Sequence, residues 1–171
     1  REEEQAEAVA AMVEGGPEGR ELPRKSHRDK PVGIRAGHTH PAQIDDVKIY
    51  TTVNRNPNGD ICEIYITTDR EGTLIMGLLN SLSKTISVML QYHIPPKNIS
   101  KMLRGQKYEP YGFVTRHPYI KNCTSISDLI SRIIDLEIGD FSRVHIKPEE
   151  AKVAEKPRLF DSGPETNGTA V

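Results

Sequence analysis

Large apolar side chains are scarce in this sequence. Its 171 residues include no tryptophan and only 5% aromatic residues, whereas glycine and proline number 13 and 12. The mean hydropathy is -0.54. Because such a chain has too little apolar surface to bury its whole length, we expect a folded part smaller than the chain, flanked by disordered tails.

Cysteine is also scarce, which limits the chemistry that the chain can carry. Cys62 and Cys123 are too few and too far apart in sequence for a metal-binding pattern or a CxxC redox pair. Cys62 lies on the apolar side of a predicted strand, so we expect a buried structural thiol. The motifs GxGxxG, HExxH and GxSxG and the phosphate-binding P-loop are missing too, so the residues alone assign no catalytic, cofactor-binding or metal site.

An excess of one charge sign is absent. The formal net charge is -1 and the pI is about 6.7, so no overall field attracts nucleic acid, and we expect no direct nucleic acid binding. The sequence also shows no signal-peptide pattern and no uninterrupted apolar run of about 18 residues, the length that spans a bilayer. We therefore expect a cytoplasmic protein with no membrane association.

Most of the core-forming residues lie between residues 47 and 90. Two alternating strands flank Asn58-Gly59, a pair typical of a tight hairpin turn. Their inward positions are Val47, Ile49, Thr51 and Val53, then Cys62, Ile64 and Ile66. The period then changes to three and four residues, which predicts an amphipathic helix. Its apolar stripe comprises Ile75, Leu78, Leu79, Leu82, Ile86, Met89 and Leu90.

Two shorter helices are predicted after this unit, at residues 95–105 and 125–139, each ended by a glycine. The predicted fold class is α+β: an antiparallel β-hairpin packed against a long amphipathic helix, with two shorter helices and disordered tails. The predicted organisation is a mostly irregular linker at 1–46, an α+β domain at 47–139 and a disordered tail at 140–171.

Two features of the predicted linker have alternative interpretations. The basic run at residues 24–30 is typical of a solvated segment, although similar runs bind phosphates. His38 and His40 are the one metal-like pairing in the sequence. Because no third ligand follows at matching spacing, the residues favour a pair that binds no metal, and the question stays open here.

Four separated segments resemble the C-terminal region of adenosylcobalamin (vitamin B12)-dependent, class II ribonucleotide reductases. They are residues 59–66 (GDICEIYI), 71–74 (EGTL), 87–96 (SVMLQYHIPP) and 107–134 (KYEPYGFVTRHPYIKNCTSISDLISRII). The corresponding stretches of the family are a GEIFI strand, an EGS helix start, a SLALQYGVP helix end and an RFEPxGxTxNPxI loop before an SIxDYIFR helix. The similarity spans roughly residues 24–140.

The resemblance implies an accessory portion of an enzyme that converts ribonucleotides, with ribonucleoside diphosphates as the expected substrates, to deoxyribonucleotides for DNA synthesis. In that family, adenosylcobalamin generates a thiyl radical on a cysteine of a catalytic barrel, and a cysteine pair reduces the substrate. Neither Cys62 nor Cys123 matches those cysteines. The resemblance therefore implies a fragment that lacks the barrel and is inactive alone, with the cofactor and the ribonucleotide bound mainly by the rest of the parent enzyme.

The loop at residues 108–119 is the candidate contact with the barrel of the same parent chain. Aromatic residues gathered in a loop either cover the domain's own core or contact a partner, and the residues alone favour the cover. The resemblance adds the family's EPxG pattern and favours docking. The candidate docking residues are Tyr108, Glu109, Pro110, Gly112 and Phe113. We expect Phe113 to point inward and Tyr108 to face the partner.

A second hypothesis is a stand-alone regulatory or binding module that shares this domain. A chain that begins at Arg1 fits a segment of a longer protein better. The sequence does not decide between diphosphate and triphosphate substrates, and it gives neither the oligomeric state nor the position of the redox-active C-terminal cysteines.

Overall fold

The computed structural model describes residues 27–149. Its strands are β1 (Ala36–Ile44), β2 (Val47–Arg55), β3 (Ile61–Thr68), β4 (Gly112–Thr115) and β5 (Asn122–Cys123). Its helices are α1 (Leu74–Gln91), α2 (Pro96–Leu103) and α3 (Ile126–Glu137), followed by a 3₁₀ turn at Phe141–Arg143. The strands form one antiparallel sheet in the order β3-β2-β1-β4-β5. The predicted α+β class is confirmed.

The predicted hairpin is present as β2 and β3. Val53 lies opposite Ile64, and Thr51 lies opposite Ile66, so the predicted inward residues share one face. The turn needs a residue with positive φ, which Gly59 supplies at +92°. Cys62 is buried at 2% exposure, as predicted for a structural thiol.

The first strand lies inside the stretch predicted to be a linker, so that prediction is wrong for residues 36–44. β1 pairs with β2 along its full length, and Ala42 and Ile44 belong to the core. The pattern hid this strand because Gly37 and Pro41 interrupt it and its other side chains are mostly polar. Residues 1–26 of the predicted linker lie outside the described residues.

Helix α1 packs along the outer edge of β3, and its predicted stripe is confirmed except at Leu78. The stripe residues that lie in the core or pack against it are Leu79, Ile86, Leu90, Ile75, Leu82 and Met89. Ser83 and Ser87, one turn apart, are buried and face the edge strand. The Ser87 hydroxyl accepts a hydrogen bond from the Ile64 amide at 3.0 Å and donates to the Ile64 carbonyl at 3.1 Å. The Ser83 hydroxyl accepts from the Ile66 amide at 2.9 Å. The stripe is therefore rotated towards these serines, and Leu78, predicted to be buried, is 60% exposed.

Helix α3 is buried along most of its length and carries two buried carboxylates. Arg143 joins them, donating to Asp128 at 2.8 Å and to Asp135 at 2.9 Å. Asp135 also accepts from Ser100 of α2 at 2.6 Å and from Arg104 at 3.1 Å. Since an unpaired buried charge is costly, these contacts hold α2 and the 3₁₀ turn against α3.

The predicted disordered tail is wrong for its first part. Arg143 is fixed as described above, and the amides of His145 and Ile146 donate to the Tyr119 carbonyl at 2.9 and 3.1 Å. The composition of this segment is polar, so its order depends on tertiary hydrogen bonds that composition does not reveal. Residues 150–171 lie outside the described residues.

Helix α1 is, by length and composition alone, long and apolar enough to cross a membrane. However, Leu79, Ile86 and Leu90 belong to the hydrophobic core. Such a helix is common in the core of a globular domain, so it is not a clear membrane span.

Candidate functional site

The predicted docking loop is attached to the start of α3 through Tyr108. The Tyr108 hydroxyl accepts a hydrogen bond from the Ser127 amide at 2.9 Å and is 2.7 Å from the Ser127 hydroxyl. Because the amide uses one lone pair of the phenol, the phenol proton is free to donate to the serine oxygen. Tyr108 therefore satisfies a first-turn amide of α3 that has no intrahelical partner.

The predicted inward orientation of Phe113 is wrong. Phe113 points outward and is 82% exposed, whereas Tyr108 is 42% exposed with its hydroxyl engaged on α3. Strand β4 explains this, because Val114 takes the inward position opposite Ile44 and its neighbour Phe113 must face the other way. Tyr111 is also exposed, at 59%.

The remaining predicted docking residues surround two cavities. One cavity of about 490 Å³ is lined by Tyr108, Glu109, Tyr111, Gly112 and Cys123, among others. Gly112 has a φ of +113°, which a residue with a Cβ rarely adopts. Pro110 lines a second cavity of about 580 Å³ beside Ile75 of α1. Four of the five predicted docking residues therefore line one or both of these cavities, whereas Phe113 lines neither.

The structure contains a second site, whose residues the sequence analysis did not group together. It is a hydrogen-bonded cluster around the carboxylate of Glu137, at the end of α3. His38 Nδ1 lies 3.0 Å and His40 Nε2 lies 2.6 Å from Glu137 Oε1, while Arg55 Nη2 donates to Oε2 at 2.9 Å. His40 Nδ1 is 3.1 Å from His117 Nε2, and the two rings are stacked. The cluster lines a cavity of about 610 Å³.

The hydrogen bonds of this cluster fix the positions of its protons. His117 Nδ1 accepts from the amides of Tyr119 and Ile120 at 3.1 and 3.0 Å, so its proton lies on Nε2. His117 therefore donates to His40 Nδ1, and the His40 proton lies on Nε2, where it donates to Glu137. The result is a directed chain from the backbone through two neutral imidazoles to a carboxylate.

Burial and hydrogen bonding set the ionisation of the cluster. Burial alone would raise the pKa of Glu137, but hydrogen bonds from His40, Arg55 and His38 outweigh it and lower the pKa to about 2. Burial, followed by the nearby His40 and Lys121, lowers the pKa of His117 to about 4. At neutral pH the carboxylate is charged and His117 is neutral, as the proton chain requires.

This arrangement is suited to holding elements together rather than to catalysis. Each polar atom between His117 and Glu137 already has a partner, and no hydroxyl or thiol nucleophile forms part of the chain of hydrogen bonds. Within residues 27–149, no group of three or more His, Cys, Asp or Glu side chains is placed to hold a metal ion. The cluster instead ties β1, β2 and the loop before β5 to the end of α3.

The sequence analysis named His38 and His40 but missed Arg55, His117 and Glu137. The spacing of two histidines on one strand face was the only signal, because alternate residues of a strand lie on the same side. The other three come from distant parts of the chain, and a lone histidine or glutamate carries no signal of its partners.

Comparison with known proteins places the chain in a family. The TSCPD domain family matches residues 23–138. The chain belongs to the TSCPD domain family. This match covers β1, which the sequence analysis had assigned to a linker, and all three helices. No solved structure shows a significant match.

The curated relatives share one name. A vitamin B12-dependent ribonucleotide reductase of Agrobacterium fabrum is 33% identical over 120 residues, which are 70% of this chain and 9% of the relative. A protein of the same name from Streptantibioticus cattleyicolor is 27% identical over 95% of this chain and 26% of the relative. One from Rhodopirellula baltica is 30% identical over 63% of this chain and 10% of the relative. The chain thus spans only a small part of these relatives, as the sequence resemblance to a C-terminal region implied.

Proposed function

We propose that this TSCPD domain is the C-terminal accessory portion of a vitamin B12-dependent ribonucleotide reductase of the cytoplasm. The observation that carries the proposal is that relatives from several bacteria bear this one enzyme name while matching the chain over 9–26% of their length. The reduction of ribonucleoside diphosphates to deoxyribonucleotides would then belong to the whole polypeptide, and this domain would support it.

The residues of the domain support this division of labour. The two cysteines are buried, and burial raises the pKa of Cys123 to about 11, so neither is suited to thiol redox chemistry at neutral pH. The three cavities have volumes of about 490 to 610 Å³, which is the size range of sites for drug-sized molecules. Adenosylcobalamin is much larger than such molecules, and none of these three cavities is large enough for it. The radical chemistry that the cofactor supplies would therefore take place in the rest of the enzyme.

The role of the domain would be to contact the catalytic barrel through the loop around Tyr108 and Phe113. The tie between Tyr108 and α3 holds the loop on a rigid helix, while Tyr111 and Phe113 remain exposed. Aromatic side chains held in this way are typical of residues that dominate protein interfaces.

The test is deletion of this domain from the parent polypeptide encoded by the same reading frame. Ribonucleotide reduction is measured with adenosylcobalamin and a dithiol, using the full-length protein, the deletion and the isolated 171-residue chain. We expect activity from the full-length protein, a clear loss on deletion and none from the isolated chain. A reading frame without a catalytic barrel would favour a stand-alone regulatory module and would refute the proposal, as would a deletion with full activity.

A further inference from the structure

Helix α1 begins with two large aliphatic side chains in solvent. Leu74 is 77% exposed and Leu78 is 60% exposed. They are four residues apart and so lie on one strip of the helix. The rotation of α1 towards β3, which buries Ser83 and Ser87, leaves this strip outside the core.

This strip continues into the docking loop. Ile75, which follows Leu74, lines the cavity of about 580 Å³ together with Pro110 and Tyr111. Tyr111, which also lines that cavity, is 59% exposed. Leu78 is three residues from Ile75, so the exposed strip of α1 lies next to the cavity wall. We call these residues of α1 and the loop the helix–loop surface (Leu74, Ile75, Leu78, Pro110, Tyr111).

The rim of the cleft carries negative charge. Asp45, at the β1–β2 turn, and Glu109 both line the cavity and are exposed. Among the described residues, neither carboxylate has a salt-bridge partner, whereas neighbouring Asp46 pairs with Arg70. A cleft that combines the side chains of Ile75, Pro110 and Tyr111 with two carboxylates suits an apolar segment flanked by lysine or arginine.

We propose that the helix–loop surface is an interface whose occupant is an apolar, Lys- or Arg-flanked segment of the catalytic portion of the same polypeptide. This inference rests on the proposed function. It adds α1 and Asp45 to the docking loop, neither of which the sequence indicated as part of an interface. The relatives are roughly ten times longer than the matched region, so a tethered partner of sufficient size is expected. Single domains seldom leave such large apolar side chains together in solvent without a partner.

The experiment uses the full-length parent polypeptide with a protease site introduced before the domain. After cleavage, co-elution of the two pieces and their dissociation constant are measured for the wild type, Leu78→Asp and Tyr111→Asp. We expect each substitution to weaken the complex by at least about tenfold. Asp45→Lys should weaken it more at low salt than at high salt, because charge pairs at a rim are screened.

Met102→Asp is the matched control. Met102 is an exposed helical residue, at 55%, but it lies on α2 and lines none of the three cavities. It should leave the complex unchanged, and circular dichroism of every variant checks that the fold is kept.

Each other outcome identifies what has failed. If Leu78→Asp and Tyr111→Asp change the dissociation constant no more than Met102→Asp does, the helix–loop surface is not the interface. That result would leave the proposed accessory function unaffected. Pieces that do not associate at all would also overturn the proposed interface. If the 171-residue chain self-associates and Leu78→Asp abolishes this self-association, the surface binds a second copy of the chain. The proposed partner would then be wrong. Activity that is independent of the domain would instead refute the proposed function.

Discussion

The contact between α1 and the edge of β3 gives a sharp test of the fold through Ser87→Ala. The Ser87 hydroxyl accepts a hydrogen bond from the Ile64 amide at 3.0 Å and donates one to the Ile64 carbonyl at 3.1 Å. Ile64 is 0% exposed, so removal of the hydroxyl leaves both groups buried without a partner. Each such group costs about 1–3 kcal/mol, and the better helix propensity of alanine returns about 0.5 kcal/mol. We expect the free energy of unfolding to fall by about 1.5–5.5 kcal/mol.

The assay is urea-induced unfolding of the full chain, followed by far-UV circular dichroism. Ser81→Ala is the control, because it makes the same chemical change on the same helix at an exposed position. It should change the free energy of unfolding by less than about 0.5 kcal/mol. If Ser87→Ala and Ser81→Ala unfold at the same urea concentration, the serine contacts do not stabilise the strand edge and the reasoning is wrong.

Three further predictions concern the loop, the Glu137 cluster and the buried carboxylate of Asp135. Tyr108→Phe should lower the free energy of unfolding by about 1–2 kcal/mol in urea titrations, because an α3 amide loses its acceptor. Phe113→Ala should have almost no effect in the isolated chain, because Phe113 is 82% exposed. The unfolded chain binds a proton at His117 near pH 6.5, whereas the folded chain binds it only near pH 4. The stability that neutral His117 contributes is therefore fully present above pH 6.5. The free energy of unfolding should fall as the pH drops from 6.5 to 4. Urea titrations at pH 7, 5.5 and 4.5 should show this fall, and His117→Gln should reduce the slope. Asp135→Asn should cost about 1.5–3 kcal/mol in the same assay, because the fully buried carboxylate accepts charged hydrogen bonds from Arg104 and Arg143. A cost below about 0.5 kcal/mol would contradict that role.

The sequence pattern was sufficient for elements whose side chains follow a regular period. The β2–β3 hairpin has a turn signal and two alternating strands, and α3 has apolar residues at helical spacing after the capping residue Ser125. These signals are local, so they do not depend on knowledge of the partner elements. The helix predicted from the apolar stripe at residues 75–90 is also correct in position, because the three- and four-residue period is a local signal.

The pattern failed where tertiary contacts override hydrophobicity. Ser83 and Ser87 are buried because they satisfy a strand edge, while Leu78 and Phe113 are exposed. A hydrophobicity scale assigns all four the opposite environment. β1 was missed for the same reason, since His40 faces a buried carboxylate instead of solvent.

The Glu137 cluster is a stronger case of the same limit. Its hydrogen-bonded chain joins residues 40, 117 and 137, which are far apart in sequence. Only the antiparallel order of the sheet and the position of α3 bring them together, and the protonation of His117 depends on two backbone amides of its own loop. A site defined by proton positions requires coordinates, because residue types alone leave each tautomer open.

The anchoring of the loop explains how exposed aromatic residues can be presented in a fixed position. On one side Tyr108 is held by Ser127 at the start of α3, and on the other Val114 is paired with Ile44 in the sheet. Tyr111 and Phe113 lie between these two anchors, so their backbone loses little freedom when a partner binds. A loop that was only a cover for the core would bury its phenylalanine, yet Phe113 is more exposed than Tyr108 or Tyr111. The same anchors that stabilise the domain therefore hold Tyr111 and Phe113 in a fixed position, as the proposed contact with the rest of a longer polypeptide requires.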